Sequence, residues 1–169
     1  MTRRAALQSL GRGTLLGLSA LALGGCGFTL RGAQNYGFQT LAIAGTGSAL
    51  TDELRRSLGK NVQLLPPGAP LNTAQVILDI VRETRERVVV GISSTGQVRE
   101  LQLRIRLVFK VRTPHGDELV PETELLQKRD ISFNETAVLA KEAEEALLYR
   151  DMQTDLVQQL LRRLAAVRL

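Results

Sequence analysis

The chain has 169 residues, 44% of them apolar and 4% aromatic, with 22 Lys and Arg against 17 Asp and Glu, one His, one Cys and no Trp. A lone cysteine excludes an internal disulfide, and a lone histidine excludes a His-rich metal site. So few aromatics argue against a stacking platform for single-stranded nucleic acid. The net charge of +5 is unevenly placed: residues 1–25 hold three Arg and no acid, so the remaining 144 residues carry 19 bases against 17 acids, or +2. The high pI is therefore not a nucleic-acid footprint, and a nucleic-acid partner is not expected.

Arg3, Arg4 and Arg12 form a positive n-region around the start of an apolar stretch, Gly13 to Gly24, built from small residues and leucines. That run is about half of the roughly 20 residues a spanning helix needs, so residues 1–25 read as a removable signal peptide. It ends in Leu23-Gly24-Gly25-Cys26, the pattern of a bacterial lipobox, in which a slim backbone admits the peptidase to the bond before the thiol. The mature protein is then expected to begin at a lipidated Cys26. Each buried CH₂ of an acyl chain contributes about 0.8 kcal/mol, so several chains anchor a protein without a transmembrane segment. No cofactor is expected beyond this covalent lipid. Gly27, not Asp, follows the cysteine, and likeness to bacterial lipoproteins then implies forwarding to the periplasmic side of the outer membrane. Two alternatives stand beside this reading: a chance cysteine behind an ordinary secretory signal, and twin-arginine export through Thr2-Arg3-Arg4.

Residues 26–38, rich in glycine, read as a lipidated tether, and residues 39–169 as one domain of ordinary size, held by packing alone. Thr40 to Ile43 is a short strand; Ser48 then caps a helix with Leu50, Leu54 and Leu58 at intervals of four, ended by Gly59. Gly45 and Gly47 between them suggest a dinucleotide fingerprint, but Leu50 stands where the third glycine belongs, so a plain loop is expected. Val62 to Leu65 is a short apolar strand, closed by the Pro66–Pro70 loop. Ala74, Val76, Leu78 and Ile80 alternate as one strand face; Thr84 to Arg87 is polar, and Val88-Val89-Val90 resumes strand propensity. After the Ser93–Gly96 turn, Leu101, Leu103, Ile105, Leu107, Phe109 and Val111 alternate with Gln102, Arg104, Arg106, Lys110 and Arg112, the pattern of a strand with one core face. A second turn at Thr113–Asp117 leads to a strand from Glu118 to about Phe133. Pro121 makes that strand an edge or a bulged one, and its register is open between Leu125 and Leu126. A long helix opening at Asn134 or Thr136 carries Met152, Leu156, Leu160 and Leu164, with Leu139, Ala143, Ala146 and Leu147 upstream. The expected fold is α+β: a two-layer sandwich, two helices on one face of a mostly antiparallel sheet of about four strands.

Catalytic signals are sparse. His115 lies in a Pro-Gly turn, and neither a nucleophile elbow nor a paired base is visible, so no enzyme is expected. Glu142, Glu144 and Glu145 could ligate a metal only with carboxylates from elsewhere, and they read better as a solvated helix face paired with Lys141 and Arg150. A hydrolase using an unrecognised carboxylate pair remains an alternative. The row Arg104, Arg106, Lys110 and Arg112 on the open face suits the phosphates of a glycolipid, or else merely keeps an exposed strand from associating.

Several stretches together resemble the lipopolysaccharide-assembly lipoprotein family LptE: Cys26-Gly27-Phe28-Thr29-Leu30-Arg31-Gly32, Ser94-Thr95-Gly96-Gln97, Val138 to Glu145, and Tyr149-Arg150-Asp151-Met152. The resemblance implies a non-enzymatic outer-membrane protein that plugs the large β-barrel LptD, helps it fold and binds lipopolysaccharide on its way to the outer leaflet. It implies contact with lipopolysaccharide at the hairpin tip and at the start of the long helix, where Lys141 matches the family's lysine. At the tip some relatives carry a base just before Gly-Gln; here Ser94 and Thr95 stand there, and Arg99 is the candidate substitute. The expected lipopolysaccharide-binding set is thus Lys141, Arg104, Arg106, Lys110 and Arg99. The rival reading is a lipoprotein component of a phospholipid-transport system.

Overall fold

The computed structural model describes residues 34–59, 61–133 and 138–169. The signal segment, Cys26, most of the tether and the helix cap expected at Asn134 or Thr136 lie outside them. The elements are β1 (Thr40–Ala44), α1 (Ala49–Leu58), β2 (Gln63–Leu64), β3 (Val76–Ile92), β4 (Val98–Arg112), β5 (Glu118–Ser132) and α2 (Val138–Ala166). The sheet order is β2-β1-β3-β4-β5. β1 runs parallel to both β2 and β3, and the β3–β4 and β4–β5 pairs are antiparallel. The sheet therefore has five strands rather than about four; the extra one is the two-residue β2, shorter than the Val62–Leu65 strand expected. The α+β class and the placing of both helices on one face hold.

Local chemistry sets α1. Ser48 Oγ accepts the Thr51 N–H at 3.2 Å while Thr51 Oγ1 accepts the Ser48 N–H at 2.8 Å, so two orphan donors of the first turn are satisfied reciprocally. Leu50, Leu54 and Leu58 are then fully buried against the sheet. On β4 the odd residues from Leu103 to Val111 are 0% exposed, as are Met152, Leu156, Leu160 and Leu164 of α2, and together they form one core. Phe38 is buried in the same core, and its ring lies 5.5 Å from that of Tyr36. The chain thus enters the domain packed beside the end of α2, where a Cβ on Gly37 would meet the Val167 carbonyl oxygen at 2.7 Å.

Two features differ from expectation. β3 is continuous through Thr84–Arg87, because a register shift between Ile80 and Arg82 re-phases the strand. After that shift Glu83, Arg85, Arg87 and Val89 stand opposite Leu107, Ile105, Leu103 and Leu101, on the helix-facing side. Second, the upstream stripe of α2 is not packed: Leu139 is 83% exposed and Leu147 is also exposed. The cause is the sheet beneath it. β1 pairs with β3 only as far as Ala44 and Asp79, so β3, β4 and β5 run on alone from Ile80 to Ile92, roughly 40 Å at about 3.3 Å per residue. At Leu103 and Ile105 β4 is flanked by Arg87 and Arg85 on one side and by Arg129 and Gln127 on the other, leaving the apolar row only one strand wide there.

Phe109→Ala is expected to cost about 3–5 kcal/mol, read as a lower urea midpoint at unchanged m. Leu139→Ala, equal to it in a helical-periodicity argument, should stay within about 0.5 kcal/mol.

Candidate functional site

The face of the sheet away from the helices carries the even residues of β4. Arg106 Nη1 donates to Glu124 Oε1 of β5 at 2.6 Å, and the hydrogen bond and charge of Glu124 raise its guanidinium above the ordinary value. Arg112 Nε donates to Asp79 Oδ2 of β3 at 2.7 Å, and that hydrogen bond raises it likewise. Arg104 Nε donates to Gln102 Oε1 at 2.7 Å, while its neighbours in register are Glu86 on β3 and Lys128 on β5. Lys110 stands opposite Asp79. Two of the four cations, Arg106 and Arg112, are thus held in cross-strand ion pairs, and the row is not a uniformly free strip. Arg99 is elsewhere: it falls at the register shift opposite Gly91 and Ile92, exposed, with its carbonyl accepting the Phe133 N–H at 2.8 Å.

Lys141 lies on the other side of the sheet, in the helical layer. Its Nζ donates to Glu144 Oε2 at 2.8 Å and to Ser132 Oγ at 3.0 Å, which ties the first turns of α2 to the end of β5. Lys141 and the basic row thus face opposite directions, and the structure does not bring them together. What stands with Lys141 is Arg87. Both line a pocket of about 100 Å³ with Leu101, Ile131, Phe133, Glu142 and Glu145. Arg87 Nε lies 3.5 Å from Glu145 Oε2, so the cations meeting the glutamate cluster are Lys141 and Arg87, not Lys141 and Arg150. Local periodicity gave no signal for Arg87, because the shift near Val81 alone turns it toward α2.

Just behind this pocket, a polar strap joins three elements. Gln153 of α2 is nearly buried; its Oε1 accepts from Arg85 Nη2 at 2.6 Å, and its Nε2 donates to Glu53 Oε2 of α1 at 2.6 Å. Arg85 also stacks over the Tyr149 ring at 5.6 Å, and the Tyr149 hydroxyl donates to the Glu86 carbonyl at 2.8 Å. Among the described residues, no group of three or more His, Cys, Asp and Glu is placed to hold a metal ion, and His115 sits exposed in its turn.

Fold and surfaces define a two-layer α+β domain that offers charged faces and a cation-rimmed hollow beside a long helix. Residues 30–164 match the LptE family, described as lipopolysaccharide-assembly. The chain is 30% identical over 161 residues to the LPS-assembly lipoprotein LptE of Photorhabdus laumondii, covering 90% of this chain and 84% of that one. It is 30% identical over 158 residues to the protein of the same name from Yersinia enterocolitica, covering 90% and 74%. Among solved structures, lipoprotein B of Nitrosomonas europaea superposes with a TM-score of 0.69 at 33% identity, over 83% of this chain and 91% of that one. Rare lipoprotein B of Shewanella oneidensis, at 24% identity and a TM-score of 0.64 over 76% and 95%, shares the fold. The chain belongs to the LptE family of lipopolysaccharide-assembly lipoproteins.

Burial pushes the Tyr149 phenol up, with Glu145 adding and Arg87 and Arg85 opposing, and burial also raises Tyr36. A raised folded pKa contributes stability that is complete below the unfolded value of about 10 and lost as pH rises through the folded one. Phenolate absorbance of the folded protein should therefore titrate above pH 10, and stability should fall only beyond it. Tyr149→Phe should remove part of that fall and leave the part due to Tyr36.

Proposed function

We propose that this protein is an outer-membrane lipoprotein, anchored on the periplasmic side through a lipidated Cys26, that binds lipopolysaccharide and serves as plug and assembly partner of an LptD-type β-barrel, without catalysis. The observation that carries the reading is the family match across residues 30–164, which begins a few residues after the lipobox cysteine. The relatives it resembles over 90% of its length are named LPS-assembly lipoproteins. Physical features agree. A polar lumen accepts a hydrated charged face, which is what Arg106 and Arg112, paired with Glu124 and Asp79, make together with Arg104 and Lys110. Lys141 sits at the opposite side of the sheet, so in this reading it meets lipopolysaccharide at the hairpin end, while the basic row meets the barrel wall or a second phosphate.

Affinity purification of the tagged, full-length protein from detergent-solubilised envelope, followed by mass spectrometry, tests the partner. A single large β-barrel in stoichiometric amount is the expected result. Recovery of an inner-membrane transporter complex without a barrel would replace this reading with the phospholipid-transport one. The surface assignment is tested separately: Lys141→Asp should weaken lipopolysaccharide binding in low and moderate salt, and Arg104→Glu should instead reduce barrel co-purification. Unchanged lipopolysaccharide binding by folded Lys141→Asp removes Lys141 from the site.

A further inference from the structure

The hollow between the hairpin and the start of α2 joins three properties found together there. Its floor is apolar, formed by Leu101, Ile131 and Phe133. Its rim holds two cations from elements far apart in sequence, Arg87 of β3 and Lys141 of α2, each already facing a carboxylate of α2. Its surroundings expose large apolar side chains: Val89, 51% exposed, lies two residues from Arg87 on the same face of β3, and Ile92 at the end of β3 is 68% exposed. Isolated exposed apolar residues need no explanation, but their concentration beside a cation pair marks a surface fitted to an amphiphile.

The ion pairs themselves are exchangeable. Arg87 is 52% exposed, Glu145 17%, and their contact is 3.5 Å, longer than the 2.7–2.9 Å of a tight charge-assisted hydrogen bond. Lys141, 21% exposed, holds Glu144 more closely at 2.8 Å, but Glu144 is 48% exposed and is the half of that pair able to swing into solvent. Glu142 lines the same pocket and adds a third negative charge. A phosphate brings three oxygens and more charge than a carboxylate, and a guanidinium accepts it through two parallel donors.

We infer that Arg87 and Lys141 are the two cations of one phosphate subsite, and that Glu145 and Glu144 occupy it in the free protein as internal stand-ins. The ligand is a phosphoryl group of an acylated glycolipid, its chains lying over Val89 and Ile92. This rests on the lipopolysaccharide-binding reading above and adds to it the second cation and the way the site is regulated. Binding exchanges one anion for another, so affinity is held down by the carboxylates, and release is completed when they return. A protein that hands its ligand on needs such a limit on affinity.

The test uses the purified mature chain with lipopolysaccharide and its dephosphorylated form as probes. Arg87→Gln and Lys141→Gln should each weaken binding of the phosphorylated probe about tenfold, the size of one lost charged hydrogen bond. The double variant should lose less than the product of the two, because both cations hold one group. Glu145→Gln should tighten binding several-fold, and that gain should vanish in the Arg87→Gln background. Each variant is first matched to the parent in its urea midpoint, and Arg87→Lys should restore part of the affinity. Full binding by Arg87→Gln, with Lys141→Gln impaired, overturns the two-cation subsite while leaving the lipopolysaccharide reading standing. Unchanged or weaker binding by Glu145→Gln overturns the exchange. Equal binding of both probes, or displacement by inorganic phosphate at the glycolipid's own concentration, overturns the acylated phosphate as ligand. Failure of the parent to bind either probe overturns the underlying reading and this inference with it.

Discussion

The apolar row on β4, from Leu101 to Val111, is the feature on which the positions of the other elements depend. At the β1 end this row is flanked by Val76, Leu78 and Leu41, so the apolar surface is several strands wide and takes two helices side by side. At Leu103 and Ile105 the flanking residues are Arg87 and Arg85 on β3 and Arg129 and Gln127 on β5, and the row narrows to a single strand before Val89 and Ile131 flank Leu101. One helix is wide enough to cover it. α2 must therefore be long, and it must run from the tip to the broad end, which at 1.5 Å per residue is about 43 Å for its 29 residues.

A helix over a narrow apolar row cannot be held by burial alone, and polar straps from the flanking strands complete the attachment. Arg85 reaches Gln153, Arg129 reaches Asp155 at 3.0 Å, Arg87 reaches Glu145, and Tyr149 reaches back to the Glu86 carbonyl. The Gln153 and Tyr149 contacts are partly shielded, whereas the exposed Arg129–Asp155 pair is worth about 0–1 kcal/mol. The tip half is thus the less stable half, and local opening there costs less than unfolding the broad end. The same residues that fasten the helix weakly are the ones available to an anionic ligand.

Much of this was legible in the sequence wherever one element carried its own signal. The alternation on β4, the Ser48 cap of α1 and the Met152–Leu164 stripe needed no partner to be recognised, and Pro121 marked β5 as an edge or bulged strand, of which it is both. What could not be read depended on pairing. The register shift near Val81 is invisible in a strand whose residues all favour extension, yet it decides that Arg85 and Arg87 face α2. The charge of the basic row looked free because its partners, Asp79 and Glu124, come from strands on either side. Lys141 was found through a family motif, whereas Arg87, 54 positions earlier in the chain, was not.

The two faces and two ends of the domain consequently differ in chemistry. The open face is neutralised strand to strand and presents hydrated charge with little net sign, a surface that tolerates close approach of a polar wall without being drawn to one phosphate. The tip end combines Arg87 and Lys141, each facing a carboxylate of α2, with exposed Val89 and Ile92, so charge and apolar surface stand side by side there. The chain enters the domain at the far end of α2, where Phe38 is buried beside Val167. Gly37 and Phe38 thus pack at the broad end of the domain, and the hairpin tip with its polar straps stands at the other end of α2.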